Sequence, residues 1–468
     1  MRTTLRTAPR RLLAGLIAIG GLLAASTPAA AQWTTQNSGL PFGGGISNIS
    51  IVDANNVWAT GFDGTITAPP VPAYNQYTRT TNGGTTWAAG AVTPAAAYTL
   101  VNISAASSQV AWAACFNQAG TGYGGYLYYT ADGGATWTRQ LSTGYPTASQ
   151  GFLNGVLAFN TTTAVAAGDP RPGITGFEIY TTTDAGANWT LATTPLPSPS
   201  TEFGYAGTLV TVPGTNAATR SCWMATSAGR VLRSADSGKN WTAVATGLPA
   251  VSSVAFCSPT VGIAVNNSTG TTASTNIAFT LDGGLTWRTR APTGPIYRSA
   301  ISGVPGLAQG FVSVSAVNAS SGSSYSVDGG ATWVAIDAGV QHTSVAFLNG
   351  TTGWSGGFAT SPTLGGMFKG SLPASVLATA PALSSANVTI YPNPATGAFK
   401  VQVPAITGAT QVEARLYNTL GQETARQATA LPTTGALLDF NTTALAPGIY
   451  TLRVQAGGTS VTRQVSVY

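Results

Sequence analysis

Thr130-Ala131-Asp132-Gly133-Gly134-Ala135-Thr136-Trp137 reads as a hydroxyl, a spacer, an acid, a spacer, a glycine, a spacer, a threonine and a closing tryptophan. The pattern returns at 182–189, 234–241, 280–287 and 326–333, and at 80–87 with Asn82 in the acid's place. The closing residues Trp87, Trp137, Trp189, Trp241, Trp287 and Trp333 are separated by 50, 52, 52, 46 and 46 residues. A self-similar period near fifty predicts a repeat architecture, in which one supersecondary unit is copied along the chain.

The chemistry of this box is that of a turn between two strands. An Asp or Asn side chain accepts N–H bonds inside its own turn, and a glycine such as Gly134 supplies the positive φ that the turn demands. The tryptophan then starts the next strand and buries its large apolar surface against a neighbouring repeat. Asn82, Asp132, Asp184, Asp236, Asp282 and Asp328 are therefore read as structural turn formers. The six boxes resemble the Asp-box (BNR) repeat of sialidase-like propellers. That resemblance implies that the boxes lie away from the binding face and carry no catalysis.

Between boxes the same order of events recurs: an apolar strand, a turn, a second strand, a variable loop, a third strand, the box and a fourth strand. Four short strands per unit make a propeller blade. First strands are read near Ile46, Val101, Gly155, Thr208, Val251, Tyr297 and Thr343, one more than the boxes. After Gly366-Met367-Phe368-Lys369 no box follows, but Gln32-Trp33-Thr34-Thr35-Gln36 near the start of the chain is similar to Thr136-Trp137-Thr138-Arg139-Gln140. The chain start is thus expected to supply the last unit's fourth strand, removing the open sheet edge. The expected fold class is all-β, a seven-bladed β-propeller over residues 32–372 followed by a small β-sandwich.

Ahead of the repeats, Arg2, Arg6, Arg10 and Arg11 precede an apolar run over 12–25 and Ala29-Ala30-Ala31, the plan of a signal peptide over 1–31. That run is too short to cross a bilayer, and no later stretch approaches about 18 uninterrupted apolar residues. Without the four leader arginines, 16 basic residues face 14 acidic ones, so the net charge falls from +6 to +2. Such a balance gives no reason to expect nucleic-acid or anionic-lipid binding. A single histidine, His342, excludes a His-rich metal site, and no metal or cofactor is expected. Cys115, Cys222 and Cys257 cannot form a disulfide framework. They leave two readings: a Cys222–Cys257 bridge in an oxidising compartment, or buried free thiols.

Residues 373–386 read as a linker, and 387–468 lose the fifty-residue period. Tyr391-Pro392-Asn393-Pro394, then Leu420-Gly421-Gln422, then Pro447-Gly448-Ile449-Tyr450 punctuate alternating strands. These motifs in this order resemble the type A C-terminal sorting domain of type IX secretion. The resemblance implies passage through the Sec pathway and then, through the type IX machinery as partner, across the outer membrane of a Gram-negative bacterium, to the surface or the medium.

A propeller directs its second-to-third loops and its fourth-to-first connections to one face, opposite the boxes. Asp63, Asp169 and Arg171 fall in second-to-third loops, Glu202 lies before a first strand, and Arg298 and His342 begin one. The long loops 61–77 and 116–125, with Tyr74, Tyr77, Tyr123 and Tyr126, belong to the same face. Asp169 and Arg171 are read either as a local ion pair or as ligand contacts. Arg298 needs an anion or water if it faces a channel, and His342 is read as a polar strand-edge residue. The segments Gly168–Gly173 and Tyr297–Ala300 resemble exported propellers labelled photosystem II stability or assembly factor-like. The expected function is a monomeric, non-enzymatic module binding a glycan or a protein. The alternative is a glycoside hydrolase, sialidase-like or xyloglucanase-like, with a carboxylate pair drawn from Asp63, Asp169 and Glu202. No catalytic residue is assigned, and the Arg-Ile-Pro segment of the sialidases is missing.

Overall fold

A computed structural model describes residues 33–468 except 67–71, 96–97, 118–123, 142–144, 146–151, 171–175, 193–195, 197, 199–200, 213–220, 268–273, 374–375, 377–387, 405, 407–408, 433–434 and 457–458. The leader and most of the linker thus lie outside the described residues. The chain divides into two compact units, one ending at Leu372 and the other running from Pro373 to Tyr468.

In the first unit the fifty-residue period becomes a stack of four antiparallel strands. Tyr98–Ala105, Ala111–Asn117, Gly125–Thr130 and Thr138–Gln140 pair in chain order, and four further sheets of the same order cover 153–191, 210–245, 253–290 and 300–338. An eight-strand sheet holds two more such stacks, joined by one bridge from Gly45 to Phe358. One consists of Gly44–Ile51, Val57–Asp63, Gln76–Thr80 and Ala88–Ala91. The other takes Ser344–Asn349, Thr352–Ser361 and Leu364–Gly370 from the far end and completes itself with Trp33–Asn37, Trp33 opposite Gly370 and Gln36 opposite Met367. The result is an all-β, propeller-like fold. Second strands are buried on both sides, with Trp58, Trp112, Trp223 and Trp354 fully enclosed, because a stack within a row of stacks has neighbours on either face. Outermost strands such as Thr138–Gln140 are largely exposed and correspondingly polar.

Each box folds as its composition dictates. Thr130 Oγ1 donates to Asp132 Oδ1 at 2.8 Å and accepts the Gly134 N–H at 2.9 Å. Asp132 Oδ1 also accepts the Thr136 N–H at 2.9 Å, and Oδ2 accepts the Thr136 hydroxyl at 2.5 Å. Asn188 and Asn240 replace that threonine in two boxes, donating Nδ2 to Asp184 and Asp236 at 2.8 and 2.7 Å. Where the acid itself is Asn82 the polarity of this bond reverses, and Asn82 Nδ2 donates to Thr86 Oγ1 at 2.8 Å. The Thr136 hydroxyl bond holds the Asp132 carboxyl at about 2, and the Asn188 N–H bond holds Asp184 at about 2. Backbone bonds from Gly83, Gly133, Ala185, Gly283 and Gly329 N–H groups to Asn55, Gln109, Thr162, Thr260 and Gln309 tie these boxes to the first-to-second turn of the same stack. Both kinds of turn therefore occupy one edge of the sheets.

The box also forms the joint between stacks, because its folded turn presents carbonyls sideways to the preceding stack. Tyr77 Oη donates to Gly134 O at 3.2 Å, Gln140 Nε2 to Ala185 O at 2.7 Å, and both Trp223 Nε1 and Arg233 Nε to Gly283 O at 2.8 Å. Arg290 Nη1 reaches Asp328 O at 3.5 Å, and Lys369 Nζ of the last stack reaches Gly83 O of the first at 2.8 Å. Among the described residues these joints link the first three stacks in chain order, the fourth to the sixth likewise, and the last stack to the first. At two of them a glutamine adds a second tie. Gln140 Oε1 accepts the Trp112 and Trp189 indoles at 3.1 and 3.3 Å, while Gln36 Oε1, from the chain's first strand, accepts Trp87 at 3.0 Å. Both amides lie where a glycine leaves room: a Cβ on Gly186 would stand 1.8 Å from Gln140 Oε1, and one on Gly84 2.4 Å from Gln36 Oε1.

The second unit is a seven-strand arrangement in which Thr389–Thr396 pairs antiparallel with Ala398–Val403 and, at Ala395, parallel with Val467 of the last strand. Its core gathers Phe399, Val401, Val412, Leu416, Phe440, Leu452 and Val454. Asn393 of the Tyr-Pro-Asn-Pro motif fixes the final strand, donating Nδ2 to Gln464 O at 3.0 Å and accepting the Ser466 N–H at 2.9 Å.

The three cysteines are buried and free, so the reading with a Cys222–Cys257 bridge is corrected. They sit in different stacks, Cys222 among Met224 and Leu232 and Cys257 in the next cluster beside Val261 and Ile263. Burial pushes the Cys257 thiol up to about 11 and the other two higher still, which makes them poor nucleophiles.

Candidate functional site

The second-to-third turns and the fourth-to-first connections form the rim opposite the boxes. Asp63 ends its strand there, and its Oδ1 accepts the Thr65 N–H at 2.9 Å and hydroxyl at 2.6 Å. Nearby, burial and then the charge of Asp63 push the Tyr74 phenol up to about 12. Asp169 links two stacks, its Oδ1 accepting Asn154 Nδ2 at 2.6 Å and the Gly204 N–H at 2.7 Å. Glu202 is buried and ion-paired with Arg230, whose Nε donates at 3.0 Å, and Thr226 Oγ1 adds a bond at 2.6 Å. Arg171 and Tyr123 lie outside the described residues.

The structure corrects several side-chain placements. Arg298 does not await an anion: its two terminal nitrogens donate to Thr275 O and Asn276 O at 2.5 and 3.3 Å. Burial among these carbonyls lowers its pKa. Tyr77 belongs to the strand Gln76–Thr80 and is buried at a box joint, not on the loop that precedes it. Tyr126 packs against Tyr98, ring centroids 4.5 Å apart and tilted by 53°, under Arg139, whose guanidinium carbon lies 4.0 Å above its ring. His342 is fully buried rather than at a strand edge. Its Nε2 lies 3.0 Å from Asp337 Oδ2, its Nδ1 2.8 Å from Ser355 Oγ, and its ring 5.4 Å from that of Trp33.

Asp337, His342 and Ser355 have the outline of a nucleophilic triad, but the Ser355 hydroxyl is enclosed and donates to Ser344 O at 2.8 Å. A nucleophile needs a path for substrate, and this oxygen has none. The group instead ties the strand Val334–Ala338 to the last stack of the first unit, beside Trp33. Sequence reasoning missed Asp337 and also Glu178, a fully buried carboxylate that accepts the Tyr180 hydroxyl at 2.9 Å. The available signal was the alternation Glu178-Ile179-Tyr180, which places acid and phenol on the same side of one strand. Among the described residues no three His, Cys, Asp or Glu side chains could hold a metal ion, and no helix is long and apolar enough to cross a membrane.

Residues 389–468, with their pinned Tyr-Pro-Asn-Pro segment, match the family model described as a secretion system C-terminal sorting domain. The tail is a type IX sorting tail. It implies an exported protein. No curated protein matches the chain. Among solved structures, U3-55K is 8% identical with a TM-score of 0.50, covering 74% of this chain and 100% of its own. YCF48 from Cyanidioschyzon merolae is 17% identical with a TM-score of 0.47, covering 74% and 99%. The GH74 enzyme of Niastella koreensis is 16% identical with a TM-score of 0.44; the match covers 90% of this chain and 66% of that one. Likeness at such identities concerns fold alone.

Proposed function

We propose that residues 32–372 close as a seven-bladed propeller of Asp-box type, and that its rim opposite the boxes holds a polar ligand, a glycan or a protein segment, without turning it over. A leader over 1–31 sends the monomeric chain through the Sec pathway, and the tail carries it across the outer membrane of a Gram-negative bacterium. One observation supports binding over hydrolysis: each rim carboxylate singled out above is already engaged within the fold, Asp63 in its own turn, Asp169 across two stacks, and Glu202 with Arg230. A glycosidase needs two carboxyl groups free to act as acid and as base or nucleophile across the scissile bond. Bound carboxylates, by contrast, hold a rim rigid, on which loop side chains such as Tyr74 can meet a polar ligand. The test is a glycan array with the mature protein, followed by Arg298→Ala on the best hit. Binding should weaken by about 1 to 3 kcal/mol, and the melting temperature should fall as well, since the Thr275 and Asn276 carbonyls lose their donor. Release of reducing ends from xyloglucan, or of sialic acid from a sialoside, by the mature protein would overturn the non-enzymatic reading.

A further inference from the structure

Arg426, Arg415 and Arg453 lie directly opposite one another on the adjacent antiparallel strands Glu423–Ala430, Gln411–Tyr417 and Gly448–Ala456 of the sorting tail. Like charges in register oppose sheet pairing, so such a row needs counter-charge. Two carboxylates supply part of it. Glu413 accepts from Arg415 at 3.0 Å and also from Arg426, and Glu423 lies 3.4 Å from Arg415. Both pair with the Arg415–Arg426 side of the row. Arg453 is exposed at the other end and has no ion pair or hydrogen bond among the described residues.

A pocket of about 160 Å³ opens beside it, lined by Glu413, Arg415, Tyr417, Arg453 and Gln455. The Arg453 guanidinium, a phenol and a primary amide there offer donors, while Arg415 adds positive charge with its fork already bonded to Glu413 and Glu423, and the one carboxylate is taken by two arginines. Guanidinium forks match carboxylates in shape and charge. We propose that this pocket binds the carboxylate of an acidic side chain on a partner protein. The site deepens the reading of the tail as an export address, on which its biological setting rests, by naming the chemistry through which the tail is held. Ile449 stands on the same face of the same strand, exposed, four residues from Arg453 and thus roughly 13 Å away. An extended acidic segment laid along this strand would meet the arginines at one end and an apolar contact at the other.

The experiment uses the full mature chain and fluorescein-labelled hexaglutamate, with anisotropy read at low salt. The peptide should bind, and Arg453→Gln and Arg415→Gln should each weaken it about tenfold, while Arg453→Lys keeps part of the affinity. Lys400→Gln is the control, since Lys400 is exposed and paired with Asp439 on a different strand pair of the same unit. Arg453 makes no hydrogen bond or ion pair among the described residues, so its variant should melt with the wild type. The proposal is overturned if hexaglutamate does not bind, if Lys400→Gln weakens it as much as Arg453→Gln, or if phosphatidylglycerol vesicles bind in an Arg453-dependent way and the peptide does not. The address reading fails on a different result, normal export of a chain lacking residues 387–468, so the two fail separately.

Discussion

Gln140 and Gln36 do the same work in two differently made places. Gln140 belongs to a stack whose four strands follow one another along the chain, whereas Gln36 sits on a strand separated from its neighbours by nearly the whole first unit. Each lays its amide over a box glycine of the next stack and accepts that box's tryptophan indole. The chemistry of the fourth strand is therefore set by what it packs against and not by its place in the chain. The difference lies in attachment. Gln140 also donates to Ala185 O and accepts a second indole from its own stack, while the Gln36 strand is held by its pairing with Leu364–Gly370, by Trp33 against His342, and by the Trp33 indole bond to Ser323 at 2.9 Å.

The largest expected effect tests this attachment directly. A mature chain starting at Ser38 should lose about 3 to 5 kcal/mol, since an opened sheet edge adds to the lost burial of Trp33. Calorimetry showing an unchanged melting temperature would break the equivalence of the two strands.

Gly186→Ala comes next, at about 2 to 3 kcal/mol, because the new methyl meets Gln140 Oε1 and the residue's φ of 82° disfavours any side chain. Gly84→Ala should cost less, and less again in the chain starting at Ser38, where Gln36 is gone. A double-mutant cycle by urea denaturation measures that coupling; a value of zero would separate Gly84 from Gln36.

Gln140→Ala should cost about 2 kcal/mol and Gln36→Ala about 1 kcal/mol, since the first strands two indoles and a carbonyl and the second one indole. Equal losses would show that the extra bonds of Gln140 contribute nothing.

The smallest effect concerns acid. Asp132 and Asp184 have folded pKa values near 2, below the ordinary 3.8. The stability they contribute is complete above about pH 4 and is lost as pH falls through about 2. Thermal melts between pH 4 and 2 should therefore slope less steeply for Asp132→Asn, which adopts the bond polarity already seen at Asn82. An unchanged slope would show that this box adds nothing to acid sensitivity.

Much of the strand order was legible in the sequence because it is written in local chemistry that repeats. Trp33-Thr34-Thr35-Gln36 could be matched to Trp137-Thr138-Arg139-Gln140 since each strand meets the same glycine and the same indole. The rim was less legible, because its side chains answer to partners brought together only by folding. Glu202 finds Arg230 across 28 residues, and Asp169 finds Gly204 across 35. Tyr77 was misplaced by a boundary alone, its strand beginning at Gln76 inside what reads as one long loop. His342 looked like a polar edge because the strand that covers it, Trp33–Asn37, comes from the far end of the sequence.

That far-end pairing also sets a timetable. A chain emerging from a ribosome or a translocon delivers Trp33 first among the described residues and its partner Gly370 almost last within the first unit. Until then the last stack is one strand short, and the first strand has only its own edge to offer, the condition under which chains mispair with one another. Contacts of such sequence separation form slowly, because loop-closure entropy opposes them. The sorting tail follows Gly370 along the chain. The closing strand therefore precedes the export address, so that a carrier reading the tail meets a chain able to close.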